Sequence, residues 1–209
     1  MRLDPAGFPF IIGALVLTAV AAAAAGWLLA VPLGVLVLFF VFFFRDPERA
    51  VPPERDGVVL SPADGRVLVA GPAVEAAAPP GDWQQVSIFL SPMDVHVNRV
   101  PASGRITQVT YRPGKFLVAS NHDAAALNER SEIWIDQGGR MIVARQIVGF
   151  LARRVVCRAT TGATVRAGDR YGVMKFGSRM DVFLPLTASL SVTVGQKVRG
   201  GETVIAVLH

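Results

Sequence analysis

From Phe8 to Phe44 the chain carries no charged residue. A run of that length goes well beyond the roughly 20 residues that one helical bilayer crossing needs. It therefore reads as two short spans, an α-helical hairpin, with Gly26, Trp27 and Pro32 marking the expected bend. Arg2 precedes the run and Arg45 and Arg49 follow it, so a hairpin that returns to the cytoplasm satisfies the positive-inside rule at both ends. The second half, Leu33 to Phe44, is short for a crossing, and a re-entrant or monotopic insertion fits it as well. A cleaved signal peptide fits worse: the apolar run is too long and has no clear basic n-region, although Ala21 to Ala25 offers the small residues of a cleavage site.

After Phe44 the composition turns abruptly to Arg45-Asp46-Pro47-Glu48-Arg49 and then Pro52-Pro53, an exit from the membrane and a short stiff linker. The expected division is a membrane-inserted hairpin and exit over 1–50 and a β-rich domain over 51–209. The formal net charge of the chain is +5, and a basic domain tethered beside a membrane is drawn to anionic headgroups on the cytoplasmic leaflet. No basic stripe interleaved with aromatics accompanies that charge, so nucleic acid is not an expected partner. A single cysteine, Cys157, excludes an intrachain disulfide and sits in an apolar alternation as a small core residue. The three histidines are scattered without ligand spacing, and no metal is expected.

From Gly57 onward short Val/Ile-rich runs alternate with Gly, Pro and Asp punctuation. The expected strands are 57–60, 66–70, 84–90, 105–111, 132–136, 141–147, 155–159, 182–184, 191–194 and 203–208, with one short helix over 124–130 capped by Asn121 or Asp123. There is an internal echo: Gly162-Ala163-Thr164-Val165-Arg166-Ala167-Gly168-Asp169 shares its register with Gly195-Gln196-Lys197-Val198-Arg199-Gly200-Gly201-Glu202. The expected fold class is mainly β, a barrel-sandwich-like domain resembling the duplicated halves of biotinyl and lipoyl carriers, behind an N-terminal hydrophobic helical hairpin.

The chemistry centres on one peptide bond, Gly177-Ser178. A hydroxyl that follows a residue without a Cβ approaches the preceding carbonyl with little hindrance, and glycine tolerates the twisted backbone that attack requires. The dipeptide alone is also a routine turn signal. Its neighbours are more specific. The run Lys175-Phe176-Gly177-Ser178-Arg179-Met180-Asp181-Val182-Phe183-Leu184-Pro185 resembles the processing site of the short, membrane-associated phosphatidylserine decarboxylases. Ser61-Pro62-Ala63-Asp64-Gly65, Leu90-Ser91-Pro92-Met93-Asp94-Val95-His96-Val97-Asn98-Arg99-Val100-Pro101 and Asn128-Glu129-Arg130 resemble further segments of that family, in the same order.

The resemblance implies a proenzyme. Ser178 Oγ attacks the Gly177 carbonyl to give an ester; loss of the Ser178 α-proton with β-elimination releases residues 1–177 as the larger chain. The dehydroalanine left at 178 then hydrolyses to a pyruvoyl group with loss of ammonia, and the smaller chain 178–209 stays bound as the other half of a heterodimer. The pyruvoyl ketone takes the amine of phosphatidylserine into a Schiff base, and the α-carboxylate leaves as carbon dioxide. Such an enzyme belongs at the cytoplasmic membrane with its β domain facing the cytoplasm. A higher oligomer is compatible with it.

The same resemblance assigns roles. His96 transfers protons, with an unperturbed pKa near working pH; read without the family it is a strand residue in a Val-His-Val alternation. Asp64 orients the base during self-cleavage, where its default reading is a turn residue. Arg99 stands where longer relatives carry a second histidine, and arginine is no base at neutral pH. Either His96 serves both steps or His122 contributes, and Arg99 fits a phosphate or carboxylate contact, or the surface. The competing functions are a carrier domain modified with biotin on Lys175, in Val173-Met174-Lys175-Phe176, and a noncatalytic membrane-anchored adaptor.

Overall fold

The computed structural model describes residues 2–74, 78–118, 124–149, 155–175 and 177–209. Two compact units divide the chain, Met1–Glu48 and Arg49–His209. In the first, β1 (Arg2–Leu3) leads through a turn at Pro5–Gly7 into α1 (Phe8–Ala25) and α2 (Trp27–Phe43), and β2 (Arg45–Asp46) closes it. Gly26, at φ +80°, ends α1 and starts α2; the bend is at this residue alone, and Pro32 lies inside α2 rather than at the turn. β1 pairs antiparallel with β2, Arg2 across from Asp46, so the two ends of the helical pair are tied together. Phe10 stacks on Phe44 at 5.5 Å and tilts against Phe40 at 5.7 Å. The segment Pro5–Ala25 is long and apolar enough to cross a membrane, whereas α2 is shorter.

The second unit is mainly antiparallel β. In order come β3 (Val58–Leu60), β4 (Gly65–Pro72), β5 (Trp83–Leu90), β6 (Val97–Arg99), β7 (Gly104–Arg112), α3 (Ala124–Leu127), β8 (Arg130–Gln137) and β9 (Arg140–Ile147). Then follow β10 (Val156–Cys157), β11 (Thr164–Val165), β12 (Arg170–Val173), β13 (Ser178–Pro185), β14 (Ser189–Leu190), β15 (Lys197–Val198) and β16 (Val204–Val207). Eight of them form one sheet in the order β11-β7-β8-β9-β13-β5-β4-β15, and two three-stranded sheets, β10-β12-β6 and β14-β16-β3, accompany it. Trp83 on β5 and Trp134 on β8 meet edge to face at 6.1 Å although two strands lie between them. With strands about 4.8 Å apart, this contact requires the sheet to curl into a half-barrel. Ile88, Ile135, Ala144, Met180 and Val182, on the other face, join the main apolar core.

That strand order is palindromic, and the register proves the two halves equivalent. Arg66 pairs with Phe89 before a bulge at Val67/Val69, and Arg105 pairs with Asp136 before a bulge at Ile106/Gln108. Leu60 N donates to Pro101 O at 2.7 Å and Arg99 N donates to Pro62 O at 2.8 Å. Gly195 N bonds Val67 O as Gly162 N bonds Ile106 O. A methyl on Gly65 would come 2.9 Å from Ile88 Cγ2, and one on Gly104 would come 2.9 Å from Ile135 Cγ2. The echo in the sequence is thus half of a larger duplication, in which Ser61-Pro62-Ala63-Asp64-Gly65-Arg66-Val67 matches Val100-Pro101-Ala102-Ser103-Gly104-Arg105-Ile106. The strands of its two glycine turns, β11 and β15, sit at opposite edges of the sheet. Val182 and Ala144, which pair with each other, lie on the axis relating the halves.

Several expected elements shift. β13 begins at Ser178, four residues before the expected 182–184, because buried ionic bonds satisfy Arg179 and Asp181 within the strand. The run 191–194 is not a strand; the pairing residues there are Ser189 and Leu190. The helix stops at Leu127, and its expected caps, Asn121 and Asp123, fall outside the described residues.

Candidate active site

Equivalence of the halves gives position 178 its meaning. In one half β8 passes to β9 through Gly138 and Gly139, both at positive φ, a two-residue hairpin turn. In the other half β5 and β13 pair in the same register, Leu90 with Ser178 as Gln137 pairs with Arg140, but no turn joins them. The chain leaves after Leu90, builds the whole second half, and returns through Gly177 into Ser178. The Gly177-Ser178 bond therefore stands where the other half has the last bond of its hairpin turn. Gly177 sits at φ +72°, a conformation that side chains resist, and among the described residues nothing lies within 4 Å of where its Cβ would be. The backbone conformation itself calls for glycine there.

Ser178 is fully buried, and its Oγ has no hydrogen-bond partner among the described residues. By strand alternation it faces the same side as Met180 and Val182, toward the core between the sheets. Gln146 pairs with Met180 and shares that face. Its Nε2 donates to Asn98 Oδ1 at 2.8 Å, linking the large sheet to β6. Gly172, across from Asn98 on β12, leaves space for this link: a methyl there would come 2.6 Å from Gln146 Nε2. Asn98 Nδ2 and Gln146 Oε1 have no hydrogen-bond partner among the described residues. A buried donor and a buried acceptor are thus left over among the described residues, Gln146 lying on the strand next to that of Ser178 and on the same face, and such groups are costly unless something answers them.

His96 is fully buried at the head of β6, where its carbonyl accepts from Met174 N at 3.1 Å. A reciprocal turn, Asp94 N to Ser91 O at 2.9 Å and Ser91 N to Asp94 Oδ2 at 2.8 Å, presents it. Nδ1 lies 3.0 Å from the Asp94 carbonyl, which only accepts, so in the neutral ring Nδ1 carries the proton and Nε2 the lone pair.

Asp64 accepts from Gly200 N at 2.8 Å and from Arg49 at 2.8 and 3.0 Å; its hydrogen bonds do not go to His96. Its counterpart in the other half, Ser103, accepts from Ala167 N at 2.9 Å, so capping this turn does not itself require a carboxylate. Arg99 is buried and donates to Gly168 O at 2.9 Å. Lys175 is half-buried, and His122 lies outside the described residues.

Asn128, Arg179 and Asp181, from the segments that carry the family resemblance, complete the surroundings together with Ser87, Glu132, Arg145, Gln146 and Val148, which the sequence reading does not single out. Asn128 fastens three segments, accepting from Leu117 N at 2.9 Å and donating to Leu117 O and Val148 O at 2.8 Å each. Because Ile147 pairs with Arg179, Val148 is the residue beside Ser178. On the concave face, Arg179 bonds Asp181 at 2.7 Å and Ser87 at 2.9 Å, and Arg145 bonds Glu132 at 2.9 Å, all buried. Burial lowers the Arg145 pKa, with Glu132 and Asp181 opposing the shift. The available signal for Gln146 was a polar residue in line with Ile142 and Ala144 on the otherwise apolar inward face of β9.

The phosphatidylserine decarboxylase family profile matches residues 36–206. A phosphatidylserine decarboxylase proenzyme of Granulibacter bethesdensis is 48% identical over 97% of this chain and 84% of its own length. One from Chlorobium phaeobacteroides is 49% identical over 81% of this chain and 79% of its own, and one from Nitrosomonas europaea is 43% identical over 97% and 94%.

Proposed function

The chain belongs to the phosphatidylserine decarboxylase family and decarboxylates phosphatidylserine to phosphatidylethanolamine; on that premise we propose that it generates its pyruvoyl group by cutting itself between Gly177 and Ser178. The observation that carries this reading is the fully buried Oγ of Ser178, without a hydrogen-bond partner among the described residues, directly after a glycine held at φ +72°. Those features fit a residue whose hydroxyl is consumed rather than used for structure. The products are a chain of residues 1–177 and a chain of residues 178–209.

His96 takes the Oγ proton on Nε2 as Ser178 attacks the Gly177 carbonyl, since the Asp94 carbonyl fixes the proton on Nδ1. His96 serves both steps, Arg99 being unable to act as a base. Asp64 orients the machinery for self-cleavage; in support, its charge exceeds what the equivalent turn at Ser103 needs. Arg99 meets an anionic group of the substrate.

A pyruvoyl group at 178 supplies a carbonyl electron sink for loss of the substrate carboxylate as carbon dioxide. Asn98 and Gln146 orient the serine headgroup: the free Nδ2 donor suits its carboxylate and the free Oε1 acceptor its ammonium. The helical pair, its two ends joined by β1 and β2, holds the chain in the cytoplasmic membrane with both ends on the cytoplasmic side. The duplicated half-barrel is related to biotinyl and lipoyl carrier domains, a reading supported by the repeated glycine turn. Membership in the decarboxylase family sets aside both biotin on Lys175 and the noncatalytic adaptor.

The test is the intact mass of the purified protein. Two chains are expected, the smaller blocked by a pyruvoyl instead of a free amine, while Ser178→Ala stays whole and inactive. A single unmodified chain that still decarboxylates phosphatidylserine overturns the reading.

A further inference from the structure

We propose that the Ser178 end of the eight-stranded sheet carries a ledge that docks on the surface of an anionic phospholipid bilayer, an inference that rests on the site reading above. One row of pairs crosses that end of the sheet: Arg112 with Arg130, Arg130 with Ile147, Ile147 with Arg179, and Arg179 with Phe89. Ser178 is one residue beyond the row. The segments continuing past it are therefore the ones nearest the reacting bond along the strands.

Those segments gather exposed apolar side chains. Tyr111, Phe116, Val118 and Leu127 lie beyond β7 and before β8, and Met93 follows β5 at the same end. The other exposed large apolar residues described after Glu48 are dispersed. Val51 lies in the linker, Val194 precedes β15, Val74 follows the far end of β4, and Leu186, beyond the far end of β13, lines a cavity with Trp83 and Arg130. Arg112 and Lys115, both exposed, are interleaved with the apolar set, and no acidic residue occurs between Tyr111 and Val118. Apolar side chains with interspersed cations suit the interface of an anionic bilayer, whereas a purely aqueous surface gains nothing from them.

The ledge is built into the fold. Lys115 N donates to Leu127 O at 2.8 Å, Glu129 N donates to Lys115 O at 3.1 Å, and Asn128 holds Leu117 by both its amide and its carbonyl. Through Val148 O the same asparagine reaches the strand beside Ser178. The occupant is a lipid surface because the substrate resides in one: a ledge in contact with headgroups brings the serine of phosphatidylserine to the end of the sheet where Ser178 lies, while its acyl chains stay in the bilayer.

The experiment uses the full-length enzyme in vesicles of phosphatidylserine and phosphatidylcholine. Nitroxide labels are placed at Val118→Cys, Leu127→Cys and, as the control at the opposite end of β7, the exposed Arg105→Cys, each in a Cys157→Ser background. Labels at 118 and 127 should relax more with oxygen than with a water-soluble nickel complex, and the label at 105 the reverse. Water-like relaxation at 118 and 127 overturns the proposal. In parallel, Phe116→Glu with Val118→Glu should raise the mole fraction of phosphatidylserine for half-maximal turnover about tenfold, by removing apolar insertion. Chain separation and turnover of a monomeric short-chain phosphatidylserine should stay unchanged. Equal losses on vesicles and on the monomeric substrate also overturn docking. Failure of the wild-type chain to separate would instead defeat the site reading, and the label depths would still decide docking.

Discussion

Gln146 on the large sheet and Asn98 on β6 are joined by a 2.8 Å hydrogen bond that crosses from one sheet to another, in space that Gly172 leaves empty. If Asn98 and Gln146 bind the headgroup as proposed, residue 172 controls that site without touching the substrate. Gly172→Ala places a methyl 2.6 Å from Gln146 Nε2 and against the backbone of Val156. Overpacking of this kind costs about 1–3 kcal/mol. It should raise KM for phosphatidylserine more than it lowers kcat, as measured on the processed enzyme.

Asn98→Leu removes the unpartnered donor and its bond to Gln146 together. Loss of an interaction with the substrate carboxylate should reduce kcat/KM by about tenfold to a hundredfold, the equivalent of one hydrogen bond to a charged group. The yield of the two chains by mass should be unaffected, which separates headgroup binding from self-cleavage.

Gly177→Ala tests backbone conformation at the cut. No atom of the described residues crowds the added methyl, so the penalty expected from φ +72° is about 1–2 kcal/mol. The chain should fold and process more slowly; a half-time for chain separation equal to that of the wild type would refute the assigned role of the turn.

Asp181→Ala strands Arg179 inside the concave face. Breaking one side of a buried ion pair costs about 3–5 kcal/mol, whereas replacing both partners by apolar residues costs far less. Denaturation of the uncleaved Ser178→Ala chain should show Asp181→Ala to be much less stable than Arg179→Met with Asp181→Leu.

Tyr171 is buried with its hydroxyl 3.7 Å from Met180 Sδ, and burial, with a smaller contribution from Cys157, raises its pKa well above 10.0. The folded state favours the neutral phenol. Its contribution to stability is complete below the unfolded value near 10 and is lost as pH rises toward the folded one. Tyr171→Phe should therefore flatten the fall of stability above about pH 10, read from denaturation midpoints across that range.

The fold was legible where periodicity and punctuation agreed. Strands such as β8 and β9 follow from apolar alternation and the Gly138-Gly139 turn. β6 does not, because Val97, Asn98 and Arg99 are all buried and no alternation survives. The echo between 162–169 and 195–202 keeps its glycines and arginine and is plain. Its counterpart between 61–67 and 100–106 is masked, since the copies differ at Ser61 against Val100 and Asp64 against Ser103. In the site, Gly177 and Ser178 stand out by chemistry. Gln146 does not, because its importance depends on a partner on another sheet.

β13 lies inside the large sheet, bonded to β9 on one edge and β5 on the other, and the last three strands complete both sheet layers. Once the bond before Ser178 is cut, the chain that begins there has no fold of its own to fall back on. Separation and denaturation become the same event, so the processed enzyme's melting temperature should vary with protein concentration, while that of the uncut chain does not.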